Sequence, residues 1–348
     1  MNICHVNLAT GFSGGERQTL QLIKQQLREG YALTVVANPK SPFAEEIRHL
    51  NCKLVLTTHF LKQHKKSITQ DCNVIHVHEG RAIYWALIQS KCFSIPYIVT
   101  RRIDNPLKNK FLSKTAYINA SAIVGLSNEI VSKIKDRYPN ANTFKIPSSP
   151  VTYPVDQNKV DTIWRQFANK FIVIQAANLL KHKGHDVTLA AAKQLQEVNP
   201  NIHIALLGDG PERETLEKYV EENKLTNVSF MGKQNHMGDW FAAADLLIHP
   251  SYTEGLGSVI LEAIQGGLPV IGTNAGGIPD IIEDKKSGLL ITAGHADELA
   301  QSIQLIAIDK PLRNQIKQGA KEKLSQFDIQ YTASLYQSIY QSIYQSLK

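Results

Sequence analysis

Along the first half of the chain, short apolar runs alternate with longer segments whose apolar residues recur every three or four positions. The runs Ile3–Leu8, Leu33–Ala37, Lys53–Leu56, Val74–Val77, Tyr97–Thr100 and Ala122–Val124 have the length and composition of buried strands. Between them, Glu16–Glu29, Arg81–Cys92 and Asn128–Asp136 carry the helical period. This alternation predicts an α/β fold with parallel sheets. The segment from Ile146 to Pro154 contains Pro147, Pro150 and Pro154 and breaks both periods, so a domain boundary is placed at residue 150. The alternation restarts at Phe171–Ala176 and continues to Leu289–Ile291. The expected organisation is therefore residues 1–150, residues 151–327 and a terminal helix over 328–348.

That terminal helix repeats itself: Tyr336–Gln337–Ser338–Ile339, Tyr340–Gln341–Ser342–Ile343, Tyr344–Gln345–Ser346–Leu347. A four-residue period keeps Tyr and Ile on one broad stripe. The opposite face is Gln and Ser rather than basic, which argues for a packed tandem extension over a membrane-lying helix.

Composition adds bounds. The 348 residues suffice for two domains with their own cores. No apolar run is long enough to span a bilayer, and the chain starts as a strand without the cationic and apolar regions of a secretory signal. Cys4, Cys52, Cys72 and Cys92 lie far apart without C-x-x-C, so reduced thiols in a cytoplasmic protein are expected. Residues 1–150 hold 20 Lys and Arg against 9 Asp and Glu, and the rest hold 18 against 22. The first half is thus expected to meet something anionic. Without zinc-finger spacing or an aromatic RNA-binding signature, nucleic acid is set aside. An anionic membrane surface or a phosphorylated glycolipid remains.

The candidate chemistry is densest from Tyr252 to Ala263. Glu254 and Glu262 flank the turn Gly255–Leu256–Gly257, which opens a helix between two apolar strands. A helix N-terminus favours anions, and carboxylates accept hydroxyl hydrogens. A ligand with phosphate at one end and polyol at the other, a nucleotide sugar, suits both. A second glycine-rich turn, Thr10–Gly11–Phe12–Ser13–Gly14–Gly15, follows the first strand. Its spacing is not G-x-G-x-x-G and no acid ends the second strand, which opposes a dinucleotide site. His76 and His78 share one face of the fourth strand; spacing suggests no third ligand, so no metal is expected. Arg101 and Arg102, adjacent after a strand in the basic half, read as an acceptor-side anion site.

The string Glu254 to Glu262, Gly267–Leu268–Pro269–Val270 and Gly276–Gly277–Ile278–Pro279 resembles the donor-binding half of retaining glycosyltransferases of family four. That resemblance implies the GT-B fold, two Rossmann-like parallel-sheet domains facing across a cleft, with the terminal helix crossing back onto the first. It implies that Glu254 contacts the donor sugar, Glu262 the ribose, and His78 lies beside the sugar while His76 packs. Gly14–Gly15 matches the family's cleft-floor turn, Lys183–Gly184 its phosphate clamp, and Leu207–Gly208–Asp209–Gly210–Pro211–Glu212 one of its turns. Asn178 stands where the family carries Arg, removing a bidentate contact for which Lys181, Arg101 and Arg102 are the candidate substitutes. No D-x-D occurs, so Lys183 and the amides of Gly255–Leu256–Gly257 are expected to meet the leaving group without metal. The implied activity is metal-independent, retaining hexosyl transfer from a nucleoside-diphosphate sugar, with UDP-sugar first among donors. The acceptor would be a glycan or glycolipid in lipopolysaccharide or surface-polysaccharide synthesis, at the inner membrane face. The alternatives are a sugar-nucleotide 2-epimerase and a non-catalytic nucleotide-sugar-binding partner.

Overall fold

The computed structural model describes residues 1–104, 106–107 and 110–346. They form two compact units: Met1–Val151 with Phe327–Lys348, and Thr152–Gln326.

The first unit holds β1 (Asn2–Asn7), β2 (Ala32–Ala37), β3 (Lys53–Leu56), β4 (Val74–Val77), β5 (Tyr97–Arg101), β6 (Ala122–Gly125) and β7 (Thr143–Lys145). Their order is β3-β2-β1-β4-β5-β6-β7, every pair parallel. The edge strand β7 escapes the sequence reading because three residues cannot display a period. The second unit holds β8 (Phe171–Ala176), β9 (Ile202–Leu207), β10 (Val228–Gly232), β11 (Leu246–His249), β12 (Val270–Thr273) and β13 (Leu289–Ile291). Their order is β10-β9-β8-β11-β12-β13, again wholly parallel.

Every residue of β4, β6, β11 and β12 is buried. Successive side chains point to opposite faces, so both faces of these strands are covered, which is why they read as unbroken apolar runs. Each unit is a Rossmann-like parallel sheet, as the alternation predicts. Each sheet also reverses its strand order once, between β1 and β4 and between β8 and β11. The connections leaving two such strands depart in opposite directions and open a crevice at their carboxyl ends. Both crevices are occupied by polar side chains.

The helix Ile329–Ser346 packs in the first unit, where Ala333, Tyr336, Ile339, Tyr340 and Ile343 join Leu20, Ile23, Val35 and Ile98 in one core. Four residues turn a helix by about 400°, so each repeat advances its tyrosine by about 40°. Tyr336 and Tyr340 stay on the buried face at 2% and 0% exposure, whereas Tyr344 has rotated out to 38%. Among the described residues, no helix is long and apolar enough to cross a membrane.

Candidate functional site

In the second unit the chain leaves β8, makes one 3-10 turn over Lys181–Lys183 and reverses at Gly184 with φ +70°. A Cβ at 184 would lie 2.0 Å from the carbonyl oxygen of Pro250, so glycine lets this loop press against the loop after β11. Gln175 Nε2 donates to the Lys183 carbonyl at 2.9 Å, and Gln175 Oε1 accepts from Thr188 Oγ1 at 2.7 Å, which fixes the backbone of Lys183. Across the contact, Lys183 Nζ donates to Glu254 Oε2 at 2.5 Å. His249 Nε2, at the end of β11, lies 2.8 Å from the same oxygen and 3.1 Å from Ser251 Oγ. An ionised carboxylate can only accept, so Nε2 carries the proton on His249. His249 Nδ1 is buried without a partner.

The backbone of Glu254 is held by the Gly276–Gly277 turn. Gly277 N–H donates to the Glu254 carbonyl at 2.9 Å. Gly276 sits at φ +57°, where a Cβ would fall 2.1 Å from that carbonyl oxygen. Burial by itself pushes the Glu254 carboxyl up. The hydrogen bond and proximity of His249 and the ammonium of Lys183 outweigh burial and hold the carboxyl far below the ordinary carboxylate range. Gly255 and Leu256 are buried in the turn, and Gly257 (φ +89°) begins the helix Ser258–Gln265 with no side chain to cap it. Glu262, on that helix, is buried and accepts from Tyr153 Oη at 3.3 Å. Asn178 is exposed, and only its carbonyl is engaged, by Leu180 N–H at 2.8 Å.

The first unit has its own cluster. Gly14–Gly15 opens the helix Gly14–Arg28, whose entry is closed by Glu16: Ser13 N–H and Ser13 Oγ both donate to Glu16 Oε2, at 2.9 and 2.7 Å. Gly15 lets Arg102 pass close, since a Cβ there would lie 3.3 Å from Arg102 Cδ. Arg102 donates to Gln18 Oε1 at 2.8 Å, Ser148 Oγ at 3.2 Å and Thr19 Oγ1 at 3.4 Å, and reaches His78 Nδ1 at 3.4 Å. Its partners thus lie inside the unit. Arg101 donates to Tyr117 Oη at 3.3 Å. His78 is buried, and its Nε2 lies 2.8 Å from His5 Nδ1. His5 Nε2 meets Gln26 Oε1 at 2.8 Å, while His76 is held by Tyr340 Oη at 2.6 Å and Thr100 Oγ1 at 2.7 Å.

The fold therefore brings Lys183 and Glu254 together in one unit, and Gly14–Gly15, His78 and Arg102 together in the other. His249 and Ser251 were not singled out from sequence, where no local signal marks them. His5 was also missed, because only the pairing of β1 with β4 places it beside His76 and His78. These three imidazoles have the spacing of a metal site. Their ring nitrogens are engaged by one another, by Gln26, Thr100 and Tyr340, and by the Arg102 guanidinium. The second cluster has different chemistry: an ammonium able to meet an anion beside a carboxylate able to accept hydroxyl hydrogens, next to the partial positive charge of a helix N-terminus.

Comparison with known proteins agrees with that chemistry. Residues 156–323 match the family model of the glycosyl transferases group 1. The sulfoquinovosyl transferase SQD2 of Arabidopsis thaliana is 32% identical over 148 residues, 42% of this chain and 29% of the plant protein. The chain thus spans under a third of that relative. LpsD of Rhizobium meliloti, a lipopolysaccharide core biosynthesis glycosyltransferase, is 24% identical over 340 residues, 93% of each chain. Among solved structures, Anabaena HepE in complex with UDP and glucose superposes with a TM-score of 0.83 at 20% identity, over 98% of this chain and 100% of that one. The two-sheet architecture is that of the GT-B fold, and the part of the second unit over residues 156–323 is similar to the group 1 glycosyl transferases.

Proposed function

We propose that the chain moves a sugar from a UDP-sugar to a glycan or glycolipid acceptor, with retention at the anomeric carbon and without a metal ion. The observation that carries this reading is the 2.5 Å contact between Lys183 and Glu254 at the crevice beside β8 and β11. Lys183 and the turn Gly255–Leu256–Gly257 meet the diphosphate and offset its charge as it leaves. Glu254 accepts from sugar hydroxyls and Glu262 from the ribose. His78 is assigned to the sugar; its 3.4 Å contact with Arg102 is the longer of its two and the one a hydroxyl would replace. The acceptor hydroxyl attacks on the leaving-group face, and the donor phosphate takes its proton.

UDP and glucose bound to HepE support the donor class, and the role of LpsD in lipopolysaccharide core biosynthesis supports a lipopolysaccharide-type acceptor. The basic excess of residues 1–150, with Arg101 and Arg102 on the acceptor side, fits a phosphorylated glycolipid and peripheral contact with the inner membrane face.

The test is a thermal-shift panel with UDP, GDP, ADP, CMP and NAD, followed by transfer assays with lipid-linked acceptors in EDTA. A nucleotide at 100 times its Kd adds about 2.7 kcal/mol. Stabilisation by UDP, weakened in Glu262→Ala, with transfer undiminished by EDTA, is expected. A donor whose sugar is altered with no acceptor present would replace this reading by a 2-epimerase. Stabilisation by no nucleotide would reject it.

A further inference from the structure

We propose that the Lys183–Glu254 ion pair is a placeholder for the donor diphosphate, and that His249 is the positioning residue that keeps Glu254 in place once Lys183 turns to phosphate. The inference rests on the donor-site reading above and goes further, because it assigns the site a means of telling the sugar nucleotide from its spent nucleotide.

The division of contacts between the two carboxylate oxygens comes first. Glu254 Oε2 receives both Lys183 at 2.5 Å and His249 at 2.8 Å. Among the described residues, Glu254 Oε1 is met only by Gly255 N–H at 3.3 Å, which leaves it able to accept a hydroxyl hydrogen. The side chains of Lys183 and Glu254 are each 17% exposed, whereas that of His249 is 2% exposed. Lys183 thus holds the carboxylate from the open side on a flexible four-carbon stem. His249 holds it from inside the unit, its backbone fixed in β11 opposite Gly272 of β12.

A diphosphate seeking Lys183 finds that ammonium already neutralised and meets a carboxylate of its own sign. Like charges a few ångströms apart in a partly buried site disfavour one another. The anion gains Lys183 only if Glu254 gives it up, and Glu254 then needs other donors. The intact donor brings them as sugar hydroxyls. A bare nucleoside diphosphate brings none, so Glu254 competes with it for Lys183 and speeds its departure after transfer. With Lys183 withdrawn, the His249 hydrogen bond alone keeps Oε2 in place and Oε1 towards the sugar.

The experiment is isothermal titration of wild type, Glu254→Gln, His249→Ala and His249→Gln with UDP, and with the tightest of UDP-glucose, UDP-galactose and UDP-N-acetylglucosamine. If the panel above selects another base, its diphosphate and sugars take their place. Glu254→Gln removes the competing charge, so UDP should bind about tenfold tighter while the preference for the sugar nucleotide over UDP falls. Glu254→Ala should change UDP binding in the same direction if the Gln variant does not fold. His249→Ala should leave UDP affinity unchanged and weaken the sugar nucleotide several-fold, with recovery in His249→Gln, which restores an N–H at that place. Loss of both affinities in parallel would mark His249 as structural only. Wild type that binds UDP while Glu254→Gln binds it no more tightly would overturn the placeholder and leave the donor site standing. Wild type that binds no nucleoside diphosphate would end both.

Discussion

The two units place polar clusters at the same point of the same topology, the crevice where the strand order reverses, and give them opposite electrical designs. Beside β1 and β4, His5, His76 and His78 are buried, and their ring nitrogens are tied to one another or to Gln26, Thr100, Tyr340 and Arg102. Burial pushes His5 down to about 4. It pushes His76 and His78 well below their ordinary value, with the neighbouring imidazoles and Arg102 adding to the effect. This cluster is neutral and hydrogen-bonded within its own unit. Beside β8 and β11, Glu254 and Lys183 are charged, partly exposed and unequally satisfied. Topology decides where a site can be. The charge left open there decides whether it binds an anionic ligand.

The contrast breaks most readily at Lys183. Lys183→Ala should cut kcat/KM by about 10²–10³, roughly 3–4 kcal/mol in the transition state, with little change in Tm. Activity within tenfold of wild type would mean that the charged cluster is not where the leaving group sits.

Acid should strike the neutral cluster instead. Between pH 6.5 and 4 the unfolded chain protonates His5 while the folded one does not, so stability falls as pH falls. A shift from 6.5 to about 4 corresponds to about 3 kcal/mol from His5, with His76 and His78 acting in the same direction. His185 in the second unit, also pushed by burial to about 4, shares this sign. Glu254 adds to the fall only at the acid end of this window, where the unfolded carboxyl begins to protonate while the folded one stays ionised. Urea unfolding of His185→Gln at pH 7.5, 5.5 and 4.5 removes the His185 contribution; a flat profile there would remove the buried imidazoles from the account.

The smallest effect sharpens the comparison. Tyr340→Phe leaves His76 Nδ1 without its partner at 2.6 Å and should cost about 1–2 kcal/mol of unfolding free energy. UDP affinity should stay within twofold. A larger change in UDP affinity would show that the histidine cluster communicates with nucleotide binding.

The sheets were legible because strands covered on both faces announce themselves as apolar runs, and because Gly276–Gly277 and Gly184 punctuate where the backbone must pass at close range. Glu254 was legible through the turn Gly255–Leu256–Gly257, and Lys183 through the resemblance of Lys183–Gly184 to a phosphate clamp. His249 was not, since nothing local distinguishes an imidazole that ends a strand from one that grips a carboxylate five residues later. Arg102 shows the converse. As one of two adjacent arginines it reads as an acceptor-side anion site, yet the glycine at position 15 admits it to a set of internal acceptors. The Tyr-Gln-Ser-Ile repeat reads as a stripe, but its hydroxyls acquire meaning only against His76 and Thr100 from distant strands.

The helix Ile329–Ser346 also sets the order in which the molecule is made. Residues 152–326 form a continuous unit, complete once its own last strand and helices have been synthesised. The first unit shares its core with Ala333, Tyr336, Ile339, Tyr340 and Ile343, so it waits with an open apolar groove until that helix leaves the ribosome. The half translated first is therefore the half that finishes folding last.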